Sequence, residues 1–247
     1  MFKTTRGLVL REVHYKEADR ILTILTEDDG KLTAKARGAL RSKSKVSAAT
    51  QLLAFSDLTL YSHNGMWTVS EAVSVEQFLG LRTDITRLAL GSYIAEVLEA
   101  VCDEDAPDAA ILHLGLNSLY ALSSGMYPQA QVKAAFELRL MCLSGYEPEL
   151  SACRACGRED ALFGSFLPAN GEFYCENCNK PGAIKIDAGV LAAMRHIISA
   201  EPKRVFSFSL DDEGLANLAA VCEAYALYEL DRPFGSLDYY RKLRKFT

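Results

Sequence analysis

Lys31-Leu32-Thr33-Ala34-Lys35-Ala36-Arg37 alternates apolar and polar side chains without a break. In an extended strand successive side chains point to opposite faces, so Leu32, Ala34 and Ala36 share one surface. Lys31, Thr33, Lys35 and Arg37 share the other. The first surface packs into a core and the second is a basic stripe. Outward from this stretch, residues 4–10, 20–26, 53–61 and 66–75 have the same short-strand character, separated by turn chemistry. Asp29-Gly30 and Asn64-Gly65 are the strongest turn dipeptides, because glycine accepts the positive φ of a tight hairpin. In residues 66–75, alternation assigns Trp67, Val69, Val73 and Val75 to one side and Thr68, Ser70 and Ser74 to the other. Five short strands with a medium-length connection between the third and fourth predict a Greek-key barrel of the OB type; an SH3-like barrel gives a similar pattern. That connection, residues 38–45, alternates serine with Arg41, Lys43 and Lys45, has little to bury and is expected to be mobile when free.

From about residue 80 the period changes from 2 to 3.6. Ile85, Leu88, Ala89, Val97, Leu98 and Val101 form one helical stripe, with Thr83 or Asp84 as N-cap. Further helices are expected over 108–124, 129–144, from Asp187 to before Pro202, and over 212–230. Between the third and fourth of these five lie Cys153-Arg154-Ala155-Cys156 and Cys175-Glu176-Asn177-Cys178, two C-x2-C pairs with 18 residues between them. This is zinc-ribbon spacing, with a hairpin of two short strands, 163–166 and 172–174, turned at 169–171. A redox C-x-x-C needs a helix start in a βαβ context, which neither pair has. Four thiolates close the coordination sphere, so the one Zn²⁺ is expected to be structural. Cys102, Cys142 and Cys222 fall on apolar helix faces and read as small hydrophobes. The sequence thus predicts an α+β multidomain chain. Residues 1–80 form a five-stranded OB-type β-barrel, 81–149 and 183–247 an α-helical domain, and 150–182 an inserted zinc ribbon with four cysteine ligands.

Hydrophobic content of 49% and charged content of 24% suit a chain with a real core and exclude a disordered one. No uncharged apolar run approaches the roughly 18 residues of a membrane span. The start, Met1-Phe2-Lys3-Thr4-Thr5-Arg6, lacks a secretory apolar region, and the cytoplasm is expected. The net charge of −5 argues against a generic nucleic-acid binder, yet residues 1–45 hold eleven Lys and Arg against six acids. A polyanion therefore meets this segment first, unless the lysines only solvate a surface. There is no phosphate-binding glycine loop, no G-x-S-x-G elbow and no H-x-E. The histidines at 14, 63, 113 and 196 are scattered, and no catalysis is expected.

Tyr15, Glu17, Asp19 and Arg20, continued by Thr26, Gly30, Gly38 and Arg41, form a pattern that resembles the bacterial RecO recombination mediators. Phe136-Glu137-Leu138-x-Leu140 and Gly145-Tyr146-x-Pro148-x-Leu150, leading into the first cysteine pair, are similar to zinc-bearing members. Arg232-Pro233 and Ser236-Leu237 extend the likeness to the end of the chain. The resemblance implies a non-catalytic DNA-repair protein that binds single- and double-stranded DNA. It also implies annealing of strands coated by single-strand-binding protein, loading of recombinase with RecR, and a nucleoid-associated location. An acidic tail of single-strand-binding protein is expected on the helical domain, where Lys133 and Arg139 are either its cations or merely solvated helix charges. Lys31, Lys35, Arg37, Arg41, Lys43 and Lys45 are expected to track DNA phosphates without reading sequence. Arg241, Lys242, Arg244 and Lys245 either extend that path or form a frayed terminus. The alternative function is a zinc-containing protein-interaction adaptor that does not bind DNA.

Overall fold

Five strands with one apolar face each must close that face on itself, and in the computed structural model they do. The structure describes residues 2–63 and 65–245; Asn64, of the expected Asn64-Gly65 turn, lies outside the described residues. Strands β1 (Phe2–Tyr15), β2 (Asp19–Thr26), β3 (Gly30–Ala36), β4 (Phe55–His63) and β5 (Met66–Glu76) form a closed barrel in the order β1-β2-β3-β5-β4. All pairings are antiparallel except β3 with β5, where Ala34 faces Trp67 and Ala36 faces Val69. This closure is the OB arrangement. Leu32, Ala34 and Ala36 enter the core with Val9, Leu22, Ile24, Leu58, Leu60 and Val69, as the alternation requires.

The fifth strand departs from its expected pattern. The β4–β5 register slips between Thr59 and Leu60, leaving Ser70 as an extra residue whose Oγ donates to the Thr59 carbonyl at 3.0 Å. A bulge inverts the facing of everything beyond it. Val69 stays inside, Ala72 packs on the core, and Val73 and Val75 turn to solvent.

The chain divides into two compact units, one of residues 1–124 with 234–247 and one of residues 125–233. The first holds the barrel and helices α1 (Ile85–Val101) and α2 (Ala109–Ser124). The Asp84 carboxylate caps α1 through the N–H groups of Thr86 and Arg87. The unit is completed by α6 (Gly235–Arg244), which packs on α1 with Leu237 and Tyr240 buried and Phe234 edge-on to Tyr93. The C-terminal segment is therefore a docked helix and not a frayed terminus. Its N-terminus is capped from α1: the Glu96 carboxylate accepts from the N–H groups of Gly235 and Ser236 at 3.3 and 3.0 Å.

The second unit contains α3 (Gln129–Leu143), α4 (Ala188–Ser199) and α5 (Asp212–Leu230), with α3 packed against both others. A sheet of β6 (Gly164–Leu167), β7 (Glu172–Cys175) and β8 (Ile184–Ile186), ordered β7-β6-β8, completes it. Strand β8 extends the expected hairpin. The sheet leans on α5, with Phe166 edge-on to Tyr225 at 5.5 Å. The helical segment expected over 81–149 is thus shared between the two units, because hydrophobic periodicity shows that a helix has a buried face and not which partner covers it. Among the described residues no helix is long and apolar enough to cross a membrane.

Candidate nucleic-acid interface and metal centre

The connection that follows β3 is pinned at both ends by adjacent residues of β2. Asp19 accepts the Gly38 N–H at 2.8 Å and pairs with Lys35 Nζ at 2.9 Å. These two contacts, the backbone hydrogen bond foremost, hold its carboxyl below the usual carboxylate range. Arg20 is buried, donates to the Ser47 carbonyl at 2.9 Å and to Thr50 Oγ1 at 3.3 Å, and faces the Glu12 carboxylate at 3.2 Å. Between these anchors Leu40 donates to the Ala18 carbonyl, Arg41 to Gly38 and Ser44 to Arg41, giving a run of successive turns. Ala39 is fully buried beneath them. Arg37, Arg41, Lys43 and Lys45 are exposed, and among the described residues none has an ion-pair partner. The Arg41 side chain lies over Gly38, whose φ of +63° is left-handed.

The other two cations of the expected stripe behave differently. Lys31 donates its Nζ to the Glu99 carbonyl in the last turn of α1 at 2.8 Å, and its N–H to the Asp103 carbonyl at 2.9 Å. It serves as a side-chain cap for the helix C-terminus, where cations are favoured. It also sits at the opposite end of β3 from Arg37, about 20 Å away at roughly 3.3 Å per residue. Lys31 is therefore set apart from the exposed cations of the connection. Lys35 lies at the right end but is already held by Asp19 and by the Tyr15 ring, 4.9 Å from its centroid. Lys16, in the β1–β2 turn, brings an exposed cation to this end that the strand pattern did not single out, and Glu17 beside it is an exposed acid.

The four cysteines converge in the second unit. Their sulfur atoms all lie within 4.8 Å of one another, with Cys156 and Cys175 Sγ 3.7 Å apart. Thiolates about 2.3 Å from one tetrahedral ion stand roughly 3.8 Å apart, so the set fits a metal. Each knuckle is shaped by its backbone: Gly157 donates to the Cys153 carbonyl at 2.8 Å, and Cys178 to that of Cys175 at 2.9 Å. Gly157 adopts a φ of +72°, as the tight turn requires. Burial alone pushes the Cys153 thiol up, but the N–H groups of Cys175, Cys156 and Ala155 outweigh it and bring the pKa to about 6. Hydrogen bonding with Cys156 and Cys175 pushes Cys178 up to about 12. Arg154 and Arg158 are neutralised by Glu172 at 2.8 Å and Glu176 at 2.5 Å. The other cysteines are packing residues; burial raises Cys102 and Cys142 to about 11 and Cys222 also upward.

Lys133 and Arg139, expected as cations for an acidic tail, are engaged within the unit. Lys133 is buried between Glu137 and Glu223, each 2.7 Å from its Nζ. Arg139 donates to the carbonyls of Ile197 and Ile198. Lys133 is thus corrected from a surface contact to an internal one. On α6, Arg241 pairs with Asp238 at 3.1 Å and the Arg244 guanidinium lies 6.0 Å from the Tyr240 ring centroid, while Lys242 and Lys245 are exposed.

An OB barrel with a cation-bearing connection in one unit, and a four-cysteine centre among helices in the other, defines a class of barrel-and-ribbon proteins. The chain belongs to the RecO family: the model for the N-terminal region of recombination protein O matches residues 1–78, and that for its C-terminal region matches residues 82–238. It is 36% identical to the DNA repair protein RecO of Acetivibrio thermocellus, over 97% of this chain and 96% of that one. It is 31% identical to the DNA repair protein RecO of Symbiobacterium thermophilum, over 96% of each chain. The same-named protein of Alkaliphilus metalliredigens is 29% identical over 98% of this chain and all of its own length.

Proposed function

We propose that this chain is a non-catalytic DNA-repair mediator. It binds single- and double-stranded DNA without sequence preference, anneals strands coated by single-strand-binding protein, and acts with RecR in loading recombinase. The single observation that carries DNA binding is the connection itself. Arg37, Arg41, Lys43 and Lys45 stand exposed on one backbone segment that Asp19 and Arg20 hold in place. Exposed cations without protein partners exchange condensed counterions for phosphates, which gives affinity and no base readout. Family membership supports the repair context, and the annealing and RecR steps follow from the resemblance.

The cysteine centre holds Zn²⁺ in this reading. Its four thiolates leave no position for water or substrate, so the ion braces the ribbon and does no chemistry. The two ribbon arginines already face acids, which supports a bracing role over a DNA contact.

The test is fluorescence anisotropy with labelled single-stranded and duplex oligonucleotides across a salt series. If the four exposed cations engage duplex phosphates, log K falls against log salt with a slope of about −3.6, and about −4.5 if Lys16 joins them. Replacing Arg37, Arg41 and Lys43 by Glu should remove about one unit of slope for each phosphate that is no longer neutralised. Unchanged affinity and slope in that variant would remove the connection from the DNA path.

A further inference from the structure

The four exposed cations account for backbone contacts and leave open how an unpaired base is held. Tyr15 ends β1 in register with Asp19, at the tip of the β1–β2 hairpin, where the chain turns through Lys16 at a φ of +55°. The Lys35 ammonium lies 4.9 Å and the Lys16 ammonium 5.4 Å from the ring centroid, yet the residue is 42% exposed. Core packing does not explain an aromatic in that position. The same hairpin carries the anchors of the basic connection: Asp19 holds both Lys35 and the Gly38 N–H, and the Ala18 carbonyl accepts from Leu40. Ring and cations are thus built onto one end of one barrel. Phe2 is 76% exposed but starts β1, at the opposite end of that strand from Tyr15, and the remaining aromatics of the barrel strands have neighbours of their own. Phe55 is buried, Trp67 packs against the barrel core, and Tyr61 lies 6.1 Å from Phe2.

We infer that Tyr15 is a stacking platform for an unpaired base of single-stranded nucleic acid, with Lys16, Arg37 and Arg41 taking the flanking phosphates. The inference rests on the reading of the 37–45 connection as a DNA path and adds to it a discrimination that cations alone do not supply. Every base has a π face, so stacking on an aromatic ring tolerates all sequences. In a duplex those faces are covered by neighbouring pairs and the ring finds nothing to stack on. The Lys35 ammonium, itself fixed by Asp19, holds the ring by cation–π attraction, so less orientational freedom is lost when a base arrives.

The full-length protein is titrated with labelled oligo-dT, a duplex of equal length, and an abasic oligonucleotide of the same charge. Tyr15→Ala should weaken oligo-dT binding by about five- to a hundredfold, while duplex and abasic binding and every salt slope stay as in the parent protein. Tyr15→Phe should restore oligo-dT binding, since it keeps the ring and loses only the hydroxyl. Two results overturn the platform: equal weakening on all three ligands, or oligo-dT binding that survives the loss of the ring. Either is distinct from failure of the underlying reading, in which the Glu triple variant of Arg37, Arg41 and Lys43 binds like the parent.

Discussion

The ammonium of Lys133 lies buried on α3, 2.7 Å from each of two carboxylates, one on its own helix at Glu137 and one on α5 at Glu223. Burial drives the amine toward its neutral form, and the two carboxylates overcome that drive and hold its pKa above the ordinary value. Because the native pKa is raised, the contribution to stability is whole below about pH 10.4 and is lost as the pH rises through the native value. Replacing Lys133 by Met takes the ammonium away from the enclosed Glu137 carboxyl. We expect a loss of about 3–5 kcal/mol in urea unfolding. Lys133→Met with Glu137→Met should recover much of that loss, since Glu223 still reaches water. If the double variant is no more stable than the single one, the cost comes from lost packing and not from a stranded carboxyl. The pairing of residues 133 and 137 was legible as an i, i+4 spacing. The third member was not, since nothing in a linear sequence places residue 223 beside them.

At the scale of elements, strand β5 separates pattern from structure most sharply. Strict alternation makes Val69 and Val73 equivalent, whereas the Ser70 bulge leaves Val69 6% and Val73 66% exposed. Val69→Ala should therefore cost about 2 kcal/mol by lost transfer energy and a small cavity, and Val73→Ala less than about 0.5 kcal/mol. Equal losses in thermal or urea unfolding would put both valines in the core and remove the bulge. The five strands were legible because each has one apolar face and turn residues at its ends. The convergence of four cysteines able to hold a metal ion was legible in their ribbon spacing. Helix α6 was not legible, because its cap comes from Glu96 on α1, 139 residues before Gly235. The division of the basic stripe was hidden for a related reason. Lys31 and Lys35 alternate identically, yet only the fold shows that one caps a helix and the other meets Asp19. Asp19 and Arg20 stood out only as part of a family pattern, and their physical task is to hold the two ends of the connection after β3.

On the scale of the whole chain, two cores are closed by different means. The barrel unit closes through its own ladder of strands, with Val9, Leu22, Ile24, Leu58 and Leu60 inside. In the other unit the segment around Cys153 is joined to the sheet by few backbone bonds, among them Arg154 N–H to the Phe173 carbonyl and Glu149 N–H to the Gly171 carbonyl. Removing the ion from four converging sulfurs leaves that segment with like-charged or protonated thiols in place of a tetrahedral clamp. Chelation of the zinc-loaded protein should therefore act on the second unit first. The one tryptophan of the sequence, Trp67, packs against the barrel core and reports on that unit alone. We expect excess chelator to split the helical far-ultraviolet transition, moving the part contributed by α3, α4 and α5 to a lower midpoint, while the part from α1, α2 and α6 and the Trp67 emission midpoint stay in place. Cys156→Ser should reproduce the effect without chelator. Duplex affinity measured below both transitions should then be unchanged, because the cations on the 37–45 connection draw their anchors from Asp19 and Arg20 and none from the cysteines. A chelator that shifts Trp67 emission and the helical signal together, or that abolishes DNA binding with the helical signal intact, would show that the metal serves the barrel and that the bracing role is misassigned.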